Sequence, residues 1–177
     1  MAPEIRAKFG SDFKYVVQSS WTGGHLLSIG NKHFSKTGIF FEPDAPDMLT
    51  LKMLKGTRKA LKEPYSIMLS ASAAEAIFGK ENPMDKTIKF DRTFDVKVTG
   101  VYEDLPANTS FHNLEIMMPW DLWVIQNPWS KEMETPWGSN FSQTFAQIAD
   151  NADMQKVSAK IKDTKMNNVD DGEKRYK

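Results

Sequence analysis

The stretch Tyr65–Pro83, YSIMLSASAAEAIFGKENP, holds a strand, a helix and a sharp exit in nineteen residues. Tyr65 to Leu69 is a compact apolar run of strand length, bounded by polar residues on its upstream side. From Ser70 the composition changes to alanine. Ala71, Ala73, Ala74 and Ala76 are strong helix formers, Ser70 stands where an N-cap hydroxyl is wanted, and Gly79 stands where a helix commonly ends. Ser72 with Glu75 offers a capping box in an alternative register. Asn82-Pro83 then starts a turn. A buried strand feeding a short helix and a glycine exit sets the fold class as α+β.

Downstream, Thr87 to Phe90 and Thr93 to Tyr102 flank Asp91-Arg92 as a hairpin. The second strand alternates Phe94, Val96 and Val98 with Asp95, Lys97 and Thr99, so one face is buried and the other wet. Asn113 to Met118 resumes extended structure, and Pro119 to Gln126 forms a helical turn. Residues 127–140, with two prolines and a glycine, form a long loop. Phe141 to Ile148 reads as a strand. A helix capped by Asn151 runs to about Met166, with Met154, Val157 and Ile161 on one stripe.

Upstream, a short helix over residues 3–8 is led by Pro3 and ended by Gly10. Phe13 to Ser19, His25 to Ile29 and Lys32 to Phe41 are extended, separated by glycines, and suggest a meander. Met48 to Leu54 gives a helical turn followed by a strand. Strand exceeds helix throughout. The chain reads as one domain over 1–177, with room for a second, smaller subdomain within about 32–115 and a frayed tail at 167–177.

Composition excludes several functions. With 177 residues, 40% hydrophobic, the chain can bury a core without staples. Its 23 basic and 23 acidic residues cancel, and no basic, aromatic-interleaved run marks a nucleic-acid footprint. The absence of cysteine excludes disulfides and thiolate chemistry. No window of about 18 apolar residues spans a membrane, and the start Met-Ala-Pro-Glu lacks an export signal, so an extracytoplasmic location requires sequence outside this chain.

No catalytic set emerges. His25, His33 and His112 lack the i, i+3 or i+4 spacing of a helical metal pair, and His25 with His33 across neighbouring strands would still want a third ligand. No G-x-S-x-G, G-x-G-x-x-G or Walker pattern is present. Glu42, Asp44 and Asp47 form the densest carboxylate group, but two prolines interrupt it and capping within a turn is the simpler account. Neither metal, cofactor nor catalytic residue is expected. Trp120, Trp123, Trp129 and Trp137 crowd one loop-rich span. They either roof the core or supply an interface, and they are the candidate contact residues.

The succession Phe41-Glu-Pro-Asp44, Leu51-Lys-Met-Leu-Lys-Gly56, Ser66-Ile-Met-Leu69, Ala74-Glu-Ala-Ile-Phe-Gly79-Lys-Glu-Asn-Pro83, Lys86-Thr-Ile-Lys-Phe90, Val98-Thr-Gly-Val101, Glu103-Asp-Leu-Pro106-Ala-Asn108 and Ser110-Phe-His112 resembles the MacB-like periplasmic core domain. That domain belongs to MacB-type and FtsX-like ABC-transporter permeases. One departure stands out: Asp85 occupies the position where the family usually has glycine. The resemblance implies a porter-like α+β part beside a more variable one, set outside the inner membrane between transmembrane helices that this chain lacks. It further implies a second permease subunit and an ATP-binding subunit as partners, with a periplasmic adaptor or lipoprotein beyond them. ATP-driven movement would pass through the domain to peptide, macrolide-like or lipoprotein cargo, and the domain itself would have no enzymatic role. The competing expectation is a free periplasmic module that binds a ligand or protein.

Overall fold

A computed structural model describes residues 1–131 and 140–169. Nine strands share one mixed sheet: β1 (Phe13–Ser19), β2 (Gly23–Ile29), β3 (Lys32–Phe41), β4 (Met53–Gly56), β5 (Ser66–Ser70), β6 (Thr87–Phe90), β7 (Phe94–Tyr102), β8 (Ile116–Pro119) and β9 (Gln143–Ile148). The helices are α1 (Ala2–Phe9), α2 (Ala45–Met48), α3 (Ala71–Phe78), α4 (Trp120–Gln126) and α5 (Met154–Ile161).

The strand pairings close a ring. β3 pairs β8, β8 pairs β5, β5 pairs β7, β7 pairs β6, β6 pairs β2, and β2 returns to β3. β3–β8 and β5–β7 are parallel, and the other pairs are antiparallel. β1 and β9 form a ribbon that leaves the ring where Ser19 meets Phe41, and β4 pairs the end of β7. The expected meander is therefore only half present. β2 and β3 form a hairpin, but β1 does not pair β2; both lie along β3, joined by Ser20, whose N–H reaches the Phe40 carbonyl at 3.0 Å. Residues 32–115 supply β3 to β7 of this same sheet.

Two apolar layers explain why β5 has no polar position facing water. Ile67 and Leu69 join α3, Ile88, Phe90, Val96, Val98, Ile116 and Met118 on one side, while Met68 joins Ile39, Phe41, Leu51, Tyr102 and Met117 on the other. A strand covered on both faces reads as a continuous apolar run, and all five residues are buried. Burying side chains of this size stabilises the fold by about 1.5–3 kcal/mol each. β7 starts with the expected alternation, Val96 and Val98 inward against exposed Asp95 and Lys97, then buries Val101 and Tyr102 where β4 and β5 flank it. The Tyr102 hydroxyl donates to the Leu114 carbonyl at 3.0 Å; burial, then the nearby Asp104 and Glu115 charges, push its ionisation far above the usual range.

The local punctuation is largely as read. Ser70 caps α3 through the Ala73 N–H at 3.2 Å, and Gly79 ends it at φ +61°. The Ser72 hydroxyl donates instead to Asp104 at 2.9 Å, so the alternative capping box does not form. Asp91 and Arg92 take φ 45° and 63° in the β6–β7 turn, and Asp85 takes φ 63°. An aspartate thus occupies the left-handed conformation that a glycine would adopt without cost.

Several boundaries differ: β8 starts at Ile116 and not at Asn113, and β9 at Gln143 and not at Phe141. Gly10 stays in the right-handed region and continues α1 into a 3₁₀ turn instead of stopping it. α5 is capped by Asp153, which accepts from the Lys156 N–H at 3.1 Å, and not by Asn151, which lies in the preceding turn. It ends at Ile161, and only Val157 is buried; Met154 is 63% exposed, so the expected three-residue stripe is narrower. After it, Met166–Asn168 form another 3₁₀ turn.

Candidate functional site

The tryptophan-rich span forms one aromatic group. Pro119 ends β8 and serves as N-cap of α4 in an extended conformation. Trp120 and Trp123, three apart on that helix, share a face. Their rings stack at 4.5 Å and 12°, and Trp123 also stacks on Phe141 at 5.4 Å and 8°. Trp129, on the 3₁₀ turn Pro128–Lys131, meets Trp123 and Phe141 edge-on at 5.8 and 5.4 Å. Each such pair contributes about 0.5–1.5 kcal/mol beyond area burial. Asn127 closes the arrangement by donating to the Trp123 carbonyl at 2.9 Å and accepting from the Trp129 indole at 3.2 Å.

The four candidate residues divide in role. Trp120 and Trp123 are half-buried and pack against the apolar layer that includes α3, so they roof the core. Trp129 is 46% exposed and presents the group to solvent. Trp137 lies outside the described residues. Phe141, the third ring of the stack, was not singled out in the sequence because it reads equally well as the start of a strand. Trp21 was missed as well: it is 57% exposed, and its indole donates to the Asn140 carbonyl at 2.8 Å, one residue before Phe141. No local signal links positions 21 and 140.

The histidines are separate. In the β2–β3 register His25 opposes Lys36 and His33 opposes Ser28, so the two imidazoles are not cross-strand partners. His25 packs between Phe40 and Phe90 and bonds Asp91 at 2.8 Å, with no hydroxyl nucleophile among its hydrogen-bond partners. His33 bonds Ser28 and His112 bonds the Thr109 carbonyl. No group of three metal-ligating side chains gathers among the described residues. Glu42, Asp44 and Asp47 are ion-pair partners: Glu42 takes both Arg6 nitrogens at 2.6 and 2.9 Å and the Gln18 N–H at 2.8 Å, while Lys59 lies 2.6 Å from Asp47 and 3.6 Å from Asp44. The Glu42 bond holds the Arg6 guanidinium above its ordinary pKa.

One polar hollow of about 640 Å³, open to solvent, is lined by Thr37, Ser70, Ser72, Asp104, His112 and Glu115 among others. Ser72 bonds Asp104, but His112 turns to Thr109, so no serine–histidine–carboxylate relay exists there. Burial alone would raise the Asp104 pKa; the Ser72 N–H and the hydroxyls of Ser72 and Ser70 outweigh it and hold the carboxyl below its usual range.

Helix α5 is tied to the 3₁₀ turn between α1 and β1. The Lys160 ammonium on α5 lies 2.8 Å from both carboxylate oxygens of Asp12, immediately after α1, and the Ala149 N–H donates to the Asp12 carbonyl at 2.9 Å. No helix among the described residues is long and apolar enough to cross a membrane.

A mixed sheet with a few short helices defines an α+β domain. Solved structures share this fold. A domain of a putative permease protein from Porphyromonas gingivalis matches with a TM-score of 0.72 at 18% identity, over 96% of this chain and 70% of that one. The periplasmic region of MacB from Actinobacillus actinomycetemcomitans matches at 0.68 and 20%, over 93% and 72%. The extracellular domain of the noncanonic ABC-type transporter YknZ from Gram-positive bacteria matches at 0.66 and 17%, over 94% and 84%. No curated protein sequence matches. The MacB-like periplasmic core domain model matches residues 2–164, and the chain belongs to that family, the periplasmic domain of MacB/FtsX-like ABC-transporter permeases.

Proposed function

We propose that this domain transmits movement from the membrane part of an ABC-transporter permease to a protein or peptide on the far side, acting by contact and not by catalysis. The observation that carries this reading is the junction at Asp12, where α5 is fastened to the 3₁₀ turn between α1 and β1. Displacement of membrane segments attached at either end enters the sheet at one point, and the β1–β9 ribbon passes it to the ring at Ser19 and Phe41. Trp129, with Phe141 and Trp21 nearby, is the contact surface, because it offers rigid exposed ring area at low entropic cost. A second permease subunit and an ATP-binding subunit are its partners in the inner membrane, and peptide, macrolide-like or lipoprotein cargo is what it helps to move outward.

The test uses the full permease with its ATP-binding subunit. The chain has no cysteine, so a spin label at Leu54→Cys, a site 52% exposed, is unique within the domain. The distance between labels on the two permease copies should change by several ångströms, on the order of the shifts seen in domain rearrangements, between nucleotide-free and nucleotide-trapped states. An unchanged distance distribution would rule out transmission through this domain.

A further inference from the structure

We propose that the outer edge of β9 is a self-pairing surface, on which a second copy of this chain adds its own β9 in antiparallel orientation.

Open strand edges are normally blunted by charge, proline, a bulge or closure. The ring closes the edges of β2, β3, β5, β6, β7 and β8 on one another. The short β4 carries Lys55, a register shift between Met53 and Lys55, and Gly56 at φ +72°. β9 has neither charge nor proline, and its one register irregularity lies at its end, on the side that faces β1. Its sequence, Gln143-Thr-Phe-Ala-Gln-Ile148, contains no charge, proline or glycine. Along one edge it pairs β1 in unbroken register from Gln143–Ser19 to Gln147–Tyr15. Along the other, no described strand pairs it.

Charge identifies the occupant and its direction. Asp150, two residues past β9, has a side chain 86% exposed, and its ion-pair partner, Lys14, stands 3.7 Å away. At the other end, the Lys165 ammonium donates to the Asn140 side chain at 3.1 Å, three residues before β9. Residues opposite one another across a two-fold axis normal to the sheet share a face, so the register sets Gln143 against position 147 of the second copy, and Asp150 falls opposite Asn140, which Lys165 holds. The arrangement occurs twice, once on each side of the two-fold axis. A parallel pair would set Asp150 against Asp150. The same register places Thr144 opposite Ala146 and Phe145 opposite Phe145 of the second copy, an aromatic pair favourable across strands.

The inference is independent of what the domain transmits, since it is read on the chain alone without nucleotide. Sedimentation velocity on the 177-residue chain, from about 10 µM to about 1 mM, should show reversible dimers, the range a single strand pairing reaches. Ala146→Lys puts a charge on an exposed edge position and should weaken association at least about tenfold, with an unchanged melt. Asp150→Lys and Lys165→Asp should each weaken it, and the two together should restore it. A wild-type chain that stays monomeric to about 1 mM overturns the proposal. So does association insensitive to Ala146→Lys, or a charge-reversed double variant that pairs no better than either single one.

Discussion

Gly56 and Gly79 both take positive φ, but a methyl group added to each would meet different surroundings. At Gly79, φ +61°, it enters open space, so Gly79→Ala bears only the conformational penalty, about 1–3 kcal/mol. At Gly56, φ +72°, it would stand 2.5 Å from the Thr99 carbonyl oxygen, a backbone atom that moves only with β7. Gly56→Ala should therefore destabilise by about 1–3 kcal/mol more than Gly79→Ala, in the range of overpacked sites. Urea unfolding of the two variants at equal ionic strength checks the order, and equal losses would show that β4 shifts freely. Asp85 belongs to the same class: at φ 63° an aspartate stands in the left-handed region of its turn.

Helix α3 and the hollow beside it share Ser70, Ser72 and Asp104. The Asp104 carboxyl is held below its unfolded value of about 3.9, so its contribution to stability is complete above that value and fades as pH falls through the folded pKa. Asp104→Asn should therefore lower stability near neutral pH and leave it nearly unchanged in acid, where the wild-type carboxyl is already protonated. It should flatten the decline that thermal melts show from about pH 5 to about pH 3. A decline of unchanged slope would place the acid-sensitive group elsewhere. What was legible at this scale is what neighbouring residues decide. The Ser70 cap, the Gly79 exit, the Asp91-Arg92 turn and the alternation in β7 all depend on contacts within a few positions. The α5 cap was misplaced because Asn151 and Asp153 are equally competent side chains. Ala152 N–H bonding the Ala149 carbonyl uses Asn151 in a turn and leaves the cap to Asp153.

At the scale of the whole molecule, the ring was beyond local reading. Its closure rests on pairs such as Leu27 with Phe90 and Gly38 with Ile116, whose partners lie far apart in sequence and carry no pattern that names one another. The aromatic site was half legible for the same reason: Trp120, Trp123 and Trp129 advertise themselves by proximity, whereas Phe141 reaches two of them, and Trp21 reaches Asn140 beside it, only through the fold. The junction of α5 with the turn at Asp12 links positions 12 and 160, which carry no local signal of one another. Lys160 is 52% exposed and Asp12 19%, so the pair contributes about 0.2–1 kcal/mol and cannot set global stability. Its effect is local, because α5 buries little besides Val157 and has few other ties to the sheet. Lys160→Ala should thus leave the melting temperature within about 2 °C of wild type, while amide exchange over Met154–Ile161 accelerates by up to about fivefold, the factor that 1 kcal/mol permits. Exchange that quickens equally across β5 and β7 would mean that the junction supports the whole sheet. Exchange unchanged in α5 would mean that Val157 alone anchors the last helix, and movement of that end would then pass to the sheet through apolar packing instead of through Asp12.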